Sequence, residues 1–162
     1  MWRAPLETDR AARLLCAVQR ERLVTGITTG ILPAAATTGM LLGFGVRDGA
    51  PALVFNAIGA MLLGSGAAGR DFSMATIVGA LLHIVVMLLY GVAYTTLVAE
   101  QGEHRLSWAV AVGAAAVIAM LVFTRVFGGG IALVLSLGNL LEIGAVIVIA
   151  LPIGMRFALP QV

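Results

Sequence analysis

The chain has 162 residues, of which 60% are hydrophobic and only 11% charged, far below the roughly one quarter charged that soluble domains carry. Its formal charge of +2 rests on ten arginines and no lysine. They lie at the edges of apolar runs, a placement that points to lipid headgroups and topology and away from nucleic acid. The single cysteine, Cys16, excludes an intrachain disulfide and any multi-cysteine metal centre.

Residues 1–22 read as a cytoplasmic amphipathic arm without a cleavable signal. Ala11, Leu14, Leu15 and Val18 recur at helical spacing, with Arg10, Arg13 and Arg20 opposite them. A first span follows over about 23–46. Gly26, Gly30, Pro33 and Thr37 form a small-residue stripe, and Gly39/Gly43 repeats the small-xxx-small spacing that lets helix backbones approach in lipid. Pro33 predicts a kink, with Thr29 or a neighbour taking up the freed carbonyl. After a turn at Arg47-Asp48-Gly49, Pro51 is placed to open a short apolar segment, about 51–68, which contains Asn56. A span needs about 20 apolar residues, so this segment reads as a short interfacial or re-entrant helix, the alternative being a fifth span.

The second full span, about 73–99, is the most informative stretch, and Asp71 or Ser73 is placed to cap it. At about 100° per residue, Thr76, Gly79, Ala80, His83, Met87, Tyr90, Gly91 and Tyr94 share one face, whereas Val78, Leu81, Val85, Leu88 and Val92 share the other. That pattern predicts a helix with a protein side and a lipid side. An aqueous loop at 100–105 and the interfacial Trp108 precede an alanine-rich span over about 107–124. Arg125 and Gly128–130 form a connector, and a last span covers about 131–155, ahead of a tail at 157–162. The fold expected is an all-α polytopic membrane helix bundle, a single unit over 23–156 with four transmembrane helices and one short helix.

Few residues could carry chemistry. Glu142 is the one acidic residue predicted inside a span, where carboxylates are costly and are paired, neutral or functional. Ser136, Asn139 and Glu142 follow one another at i, i+3 spacing. His83, with Tyr90 two turns along, could relay a proton to Glu142 if the two helices were adjacent. Alternatively, Gly79 could clear space for a tetrapyrrole on His83. An interhelical hydrogen bond from a neutral His83 is the plainer expectation. No metal-binding pair, phosphate loop or catalytic triad is evident, so no enzymatic activity and no resident cofactor are expected.

The succession IGAMLLG (58–64), GALLHIVVMLLYGVAY (79–94), an alanine-rich span and LGNLLEIGAVI (137–147) resembles small bacterial inner-membrane proteins of the YagU-like kind. That resemblance implies four spans, a bacterial inner-membrane location and no established activity. It also implies a second histidine in the last helix, where this chain has Asn139. Taken together, the expectation is an accessory or assembly subunit, homo-oligomeric or bound to other membrane proteins in the bilayer. The rival is a small proton- or ion-coupled transporter or channel using Glu142, Asn139 and His83.

Overall fold

A computed structural model describes residues 5–101, 104–126 and 135–158, with side-chain surroundings described from residue 17 onward except at 100, 101 and 124. The described residues are helical with turns between, in the order α1 (Pro5–Arg47), α2 (Leu53–Leu63), a 3-10 turn (Ser65–Ala67), α3 (Met74–Gln101), α4 (Arg105–Val126) and α5 (Leu137–Ala158). Four of these helices are long and apolar enough to cross a membrane, over Ala17–Arg47, Met74–Ala99, Arg105–Phe123 and Leu137–Ala158. The 11 residues of α2 reach only about 16 Å, half the roughly 30 Å of a hydrocarbon core. The expected four-span fold with one short helix is therefore what the chain adopts, and the five-span alternative fails on length. The predicted arm and first span form one uninterrupted helix of 43 residues.

The bundle is built outward from α1, which packs along α3 on one side and α5 on the other. α4 docks on α5 and only sparsely on α3, and α2 lies against α3. Close approach at glycine makes these contacts. A Cβ on Gly91 would overlap the Gly26 carbonyl and the Gly30 backbone, and one on Gly30 would overlap the backbone of Leu88. Helices α1 and α3 therefore cross almost backbone to backbone, the geometry that small residues permit where lipid removes the hydrophobic drive. Gly113 and Gly144 fit α4 against α5 in the same way, each receiving a valine of the other helix, Val148 and Val117.

Gly39 and Gly43 have the same spacing as Gly26 and Gly30 but face outward with nothing beside them. Among the described residues, α3 and α5 meet α1 on its other sides and nothing packs on this flank.

The turns are equally specific. Helix α1 ends in a Schellman motif, with the Ala50 amide donating to Gly45 O at 2.8 Å and Gly49 N–H to Val46 O at 3.0 Å. Gly49 takes φ +69°, which a glycine adopts without strain. Pro51 does not open α2 as expected but lies in the turn, with Ala52 as the N-cap. Helix α3 is capped by Ser73, whose Oγ accepts from Ala75 N–H at 3.2 Å, while Thr76 Oγ1 accepts from Ser73 N–H at 2.9 Å, a capping box with threonine in the acidic position. Helix α5 begins at Leu137, capped by Ser136 Oγ, which accepts from Asn139 N–H at 3.2 Å. Residues 131–134 of the predicted last span, the Gly128–130 connector and the tail from 159 lie outside the described residues.

Candidate functional site

Four groups of polar contacts join elements of the bundle, besides the bond from Tyr94 to Arg105 described below. At mid-bundle His83, 3% exposed, meets Thr37 of α1, with Nε2 and Oγ1 2.9 Å apart. The Thr37 hydroxyl donates its only proton to Pro33 O at 2.6 Å, so its oxygen accepts from His83 Nε2–H, which assigns that tautomer. Phe55 of α2 presents its ring to the imidazole edge-on, with centroids 6.1 Å apart. The space that Gly79 leaves one turn away is filled by the Phe55 carbonyl and the Gly59 amide of α2. His83 thus binds three helices together. Interhelical bonds in membranes are worth about 0.6 kcal/mol on average and up to about 1.7. Thr37→Val and His83→Ala are each expected to cost about 1–2 kcal/mol in unfolding from mixed micelles. The double variant should cost less than their sum, and strict additivity would show the bond to be idle.

The second cluster surrounds Pro33. Lacking an N–H, Pro33 leaves the Thr29 carbonyl without its helical donor. The Thr29 hydroxyl, expected to help here, is buried and has no hydrogen-bond partner among the described residues. Instead Gly154 of α5 lies directly against the Thr29 carbonyl, so its Cα–H is the group facing that oxygen. Gly154→Leu is expected to separate α1 from α5 and to destabilise by about 1–3 kcal/mol. Thermal unfolding of the detergent-solubilised protein measures this, and an unchanged midpoint would show that the contact carries no load.

The third cluster lies at the end of the bundle where α1 finishes. Arg47 stacks over Phe44 at 5.5 Å, and its Nη2 donates to Asn139 Oδ1 of α5 at 3.5 Å. On the other side of that end, Asn56 of α2, fully buried, uses its whole amide. Nδ2 donates to Gly69 O at 2.8 Å and Asp71 O at 2.7 Å, and Oδ1 accepts from Ser73 Oγ at 3.2 Å and Thr76 Oγ1 at 2.5 Å. Sequence reasoning noted Asn56 only as a polar interruption. The signal that identifies it is the Ser73/Thr76 capping box following a lone amide in an apolar segment.

The sequence candidates are not brought together. Ser136 is a helix cap and Asn139 is buried beside Arg47, whereas Glu142 faces outward. Tyr90 is half-buried on α3, and Tyr94, fully buried, donates to Arg105 O at 3.1 Å, tying α3 to α4. Along α1, the residue that meets α5 at Asn139 is ten positions from the one that meets His83, about 15 Å of helix, while Glu142 lies only about 4.5 Å inward from Asn139. Some 10 Å of depth separates Glu142 from His83. Among the described residues α5 starts at Leu137, and Glu142 is its sixth residue, within the span Leu137–Ala158 and on its outward face.

No family model matches the chain, and no curated protein or solved structure is similar to it. The helices themselves define the class: a multi-pass membrane protein with four spans and a short fifth helix. Among the described residues, no three histidine, cysteine or acidic side chains gather as a metal site.

Proposed function

We infer that the chain is a non-enzymatic accessory or assembly subunit of the bacterial inner membrane, working as part of a larger membrane assembly. The observation that carries this reading is how the polar side chains are used. His83, Thr37, Asn56 and Asn139 each join helices, and the carboxylate available for transport, Glu142, points out of the bundle and away from His83. A chain whose interior is committed to holding helices together, with a polar group on the outside, suits a part that docks.

The arginines support an orientation. Arg10, Arg13, Arg20, Arg22, Arg105 and Arg156 fall at the end where α1 begins, and Arg47, Arg70 and Arg125 at the other. Six against three favours a cytoplasmic side for the start of α1 and the end of α5. Reporter fusions after Gly69 and after Val162 test this, with the first expected outside and the second inside.

Native electrophoresis after crosslinking in intact membranes tests the assignment. A band larger than one chain is expected, and a strictly monomeric band without adducts overturns it. Proton or ion flux through the wild-type protein in liposomes, lost in Glu142→Gln without loss of fold, would replace it with the transporter reading. His83 is expected to hold no tetrapyrrole, since Thr37 takes its Nε2. A Soret band lost in His83→Ala would reverse that expectation.

A further inference from the structure

Helix α2 is too short to cross the bilayer, yet it does not rest on top of the bundle. The Phe55 carbonyl lies against Gly79 of α3, and the Phe55 ring reaches His83. Further along α2, Gly59 lies against Ala75, in the first turn of α3. At 1.5 Å per residue, Gly79 is about 7.5 Å inward from Met74, the first residue of that span. The chain therefore turns back into the apolar layer after α1 and climbs out again toward Leu63.

The composition and the backbone both fit that depth. No charged residue falls between Leu53 and Leu63, and the polar residue among them, Asn56, is fully buried. Backbone groups at membrane depth need partners inside the protein. Gly64 N–H donates to Ala60 O at 2.8 Å, Asn56 Nδ2 takes the Gly69 and Asp71 carbonyls, and Ser73 N–H donates to Thr76 Oγ1.

The outer surface of this segment continues the outward side of α3. Leu63 shares a hollow with Met74, and Phe72 lines a groove with Ile77, Ala80 and Leu81. Leu62, Phe72, Met74, Ile77 and Leu81 are all more than half exposed, and none carries a hydrogen-bonding side chain. Helices that pair in a membrane meet through small residues, as Gly26, Gly30 and Gly91 do here. A bulky aliphatic and aromatic surface without such residues suits acyl chains better than another helix. The nearest charges, Arg70 and Asp71, are exposed.

We propose that α2 and residues 62–73 form a half-membrane element, with Leu62, Leu63 and Phe72 in contact with the acyl chains of the leaflet where α1 ends. Arg70, Asp71 and the turn at Gly69 mark its water boundary. Asn56 then has a purpose besides holding α2, since it keeps two carbonyls bonded where the chain re-enters lipid. The inference does not depend on the chain belonging to a larger assembly.

The experiment uses the full chain with Cys16→Ser, one new cysteine at a time, labelled with a thiol-linked fluorophore and reconstituted in phospholipid vesicles. Labels at Leu62→Cys and Phe72→Cys are expected to be quenched by phospholipid brominated along its acyl chains as strongly as at Leu81→Cys, and to escape iodide. Gly69→Cys, which meets no atom of the protomer, should show the reverse. The replaced side chains are largely exposed, so the unfolding transition should stay in place, and Leu63→Cys substitutes for a variant that does not fold. Iodide quenching at Leu62→Cys or Phe72→Cys equal to that at Gly69→Cys places the surface in water and overturns the proposal. Labels reached by neither quencher also overturn it, because they are then covered by protein, and a crosslink between chains through these cysteines would identify that cover as a second copy.

Discussion

Gly91→Leu is expected to abolish the folded bundle, at a cost above about 3 kcal/mol, beyond the usual 1–3 of an overpacked core. The atoms in the way are the Gly26 carbonyl and the Gly30 amide and Cα. Backbone cannot rotate aside as a side chain can, so α1 and α3 must separate along their whole crossing. That separation also pulls Thr37 from His83 and loosens the α1 surface on which α5 sits. The matched control is Gly39→Leu, which has open space around it and should change protomer stability by less than about 0.5 kcal/mol. Both are measured by unfolding the solubilised protein at concentrations where it is monomeric. A Gly91→Leu variant as stable as wild type would mean that the α1/α3 crossing is not the organising contact.

The same pair of positions marks where the sequence stops being legible. Gly26-xxx-Gly30 and Gly39-xxx-Gly43 are equivalent as spacings but lie about 140° apart around α1, and only the side on which α3 packs decides which is filled. The α3 stripe is different because it reports burial directly. Thr76, Gly79, His83, Met87, Gly91 and Tyr94 are all buried, and Leu81 and Val85 face out. Its aliphatic face is less uniform, since Val92 and Leu88 lend their backbones to Gly26 and Gly30. Glu142 lies within the last span, Leu137–Ala158, as its hydropathy indicates, but the spacing Ser136, Asn139, Glu142 does not tell which of them faces inward. Ser136 is spent as the cap of α5, and Asn139 is the inward-facing residue, whereas Glu142 is exposed. The tertiary hydrogen bonds that join distant positions, Thr37 to His83 and Arg47 to Asn139, have no local signature at all.

Asn56→Ala is expected to release α2 and the segment up to Ser73 while the four long helices remain assembled. The amide makes four hydrogen bonds, and its loss leaves the Gly69 and Asp71 carbonyls and the Ser73 and Thr76 hydroxyls to find other partners. At about 1 kcal/mol for each net bond, moderated where water reaches the exposed Gly69–Asp71 turn, the cost is about 2–4 kcal/mol. Local opening should rise about 30- to 900-fold, read as the rate of tryptic cleavage after the exposed Arg70 in reconstituted, outward-facing protein. Asn56→Asp separates the two halves of the amide. The carboxylate keeps the acceptors for Ser73 and Thr76 but turns an anion toward the Gly69 and Asp71 carbonyl oxygens, so at pH 8 it should be cleaved at least as fast as Asn56→Ala. Protonation of that carboxylate removes the charge and supplies one O–H donor, which can serve one of the two carbonyls. The ratio of cleavage rates, Asn56→Asp over Asn56→Ala, should therefore fall as pH is lowered from 8 to 5.5, trypsin's own pH dependence cancelling in the ratio. A ratio that does not move, or Asn56→Ala cleaved no faster than wild type, would mean that α2 is held by its glycine contacts at Gly59 and Gly79 alone.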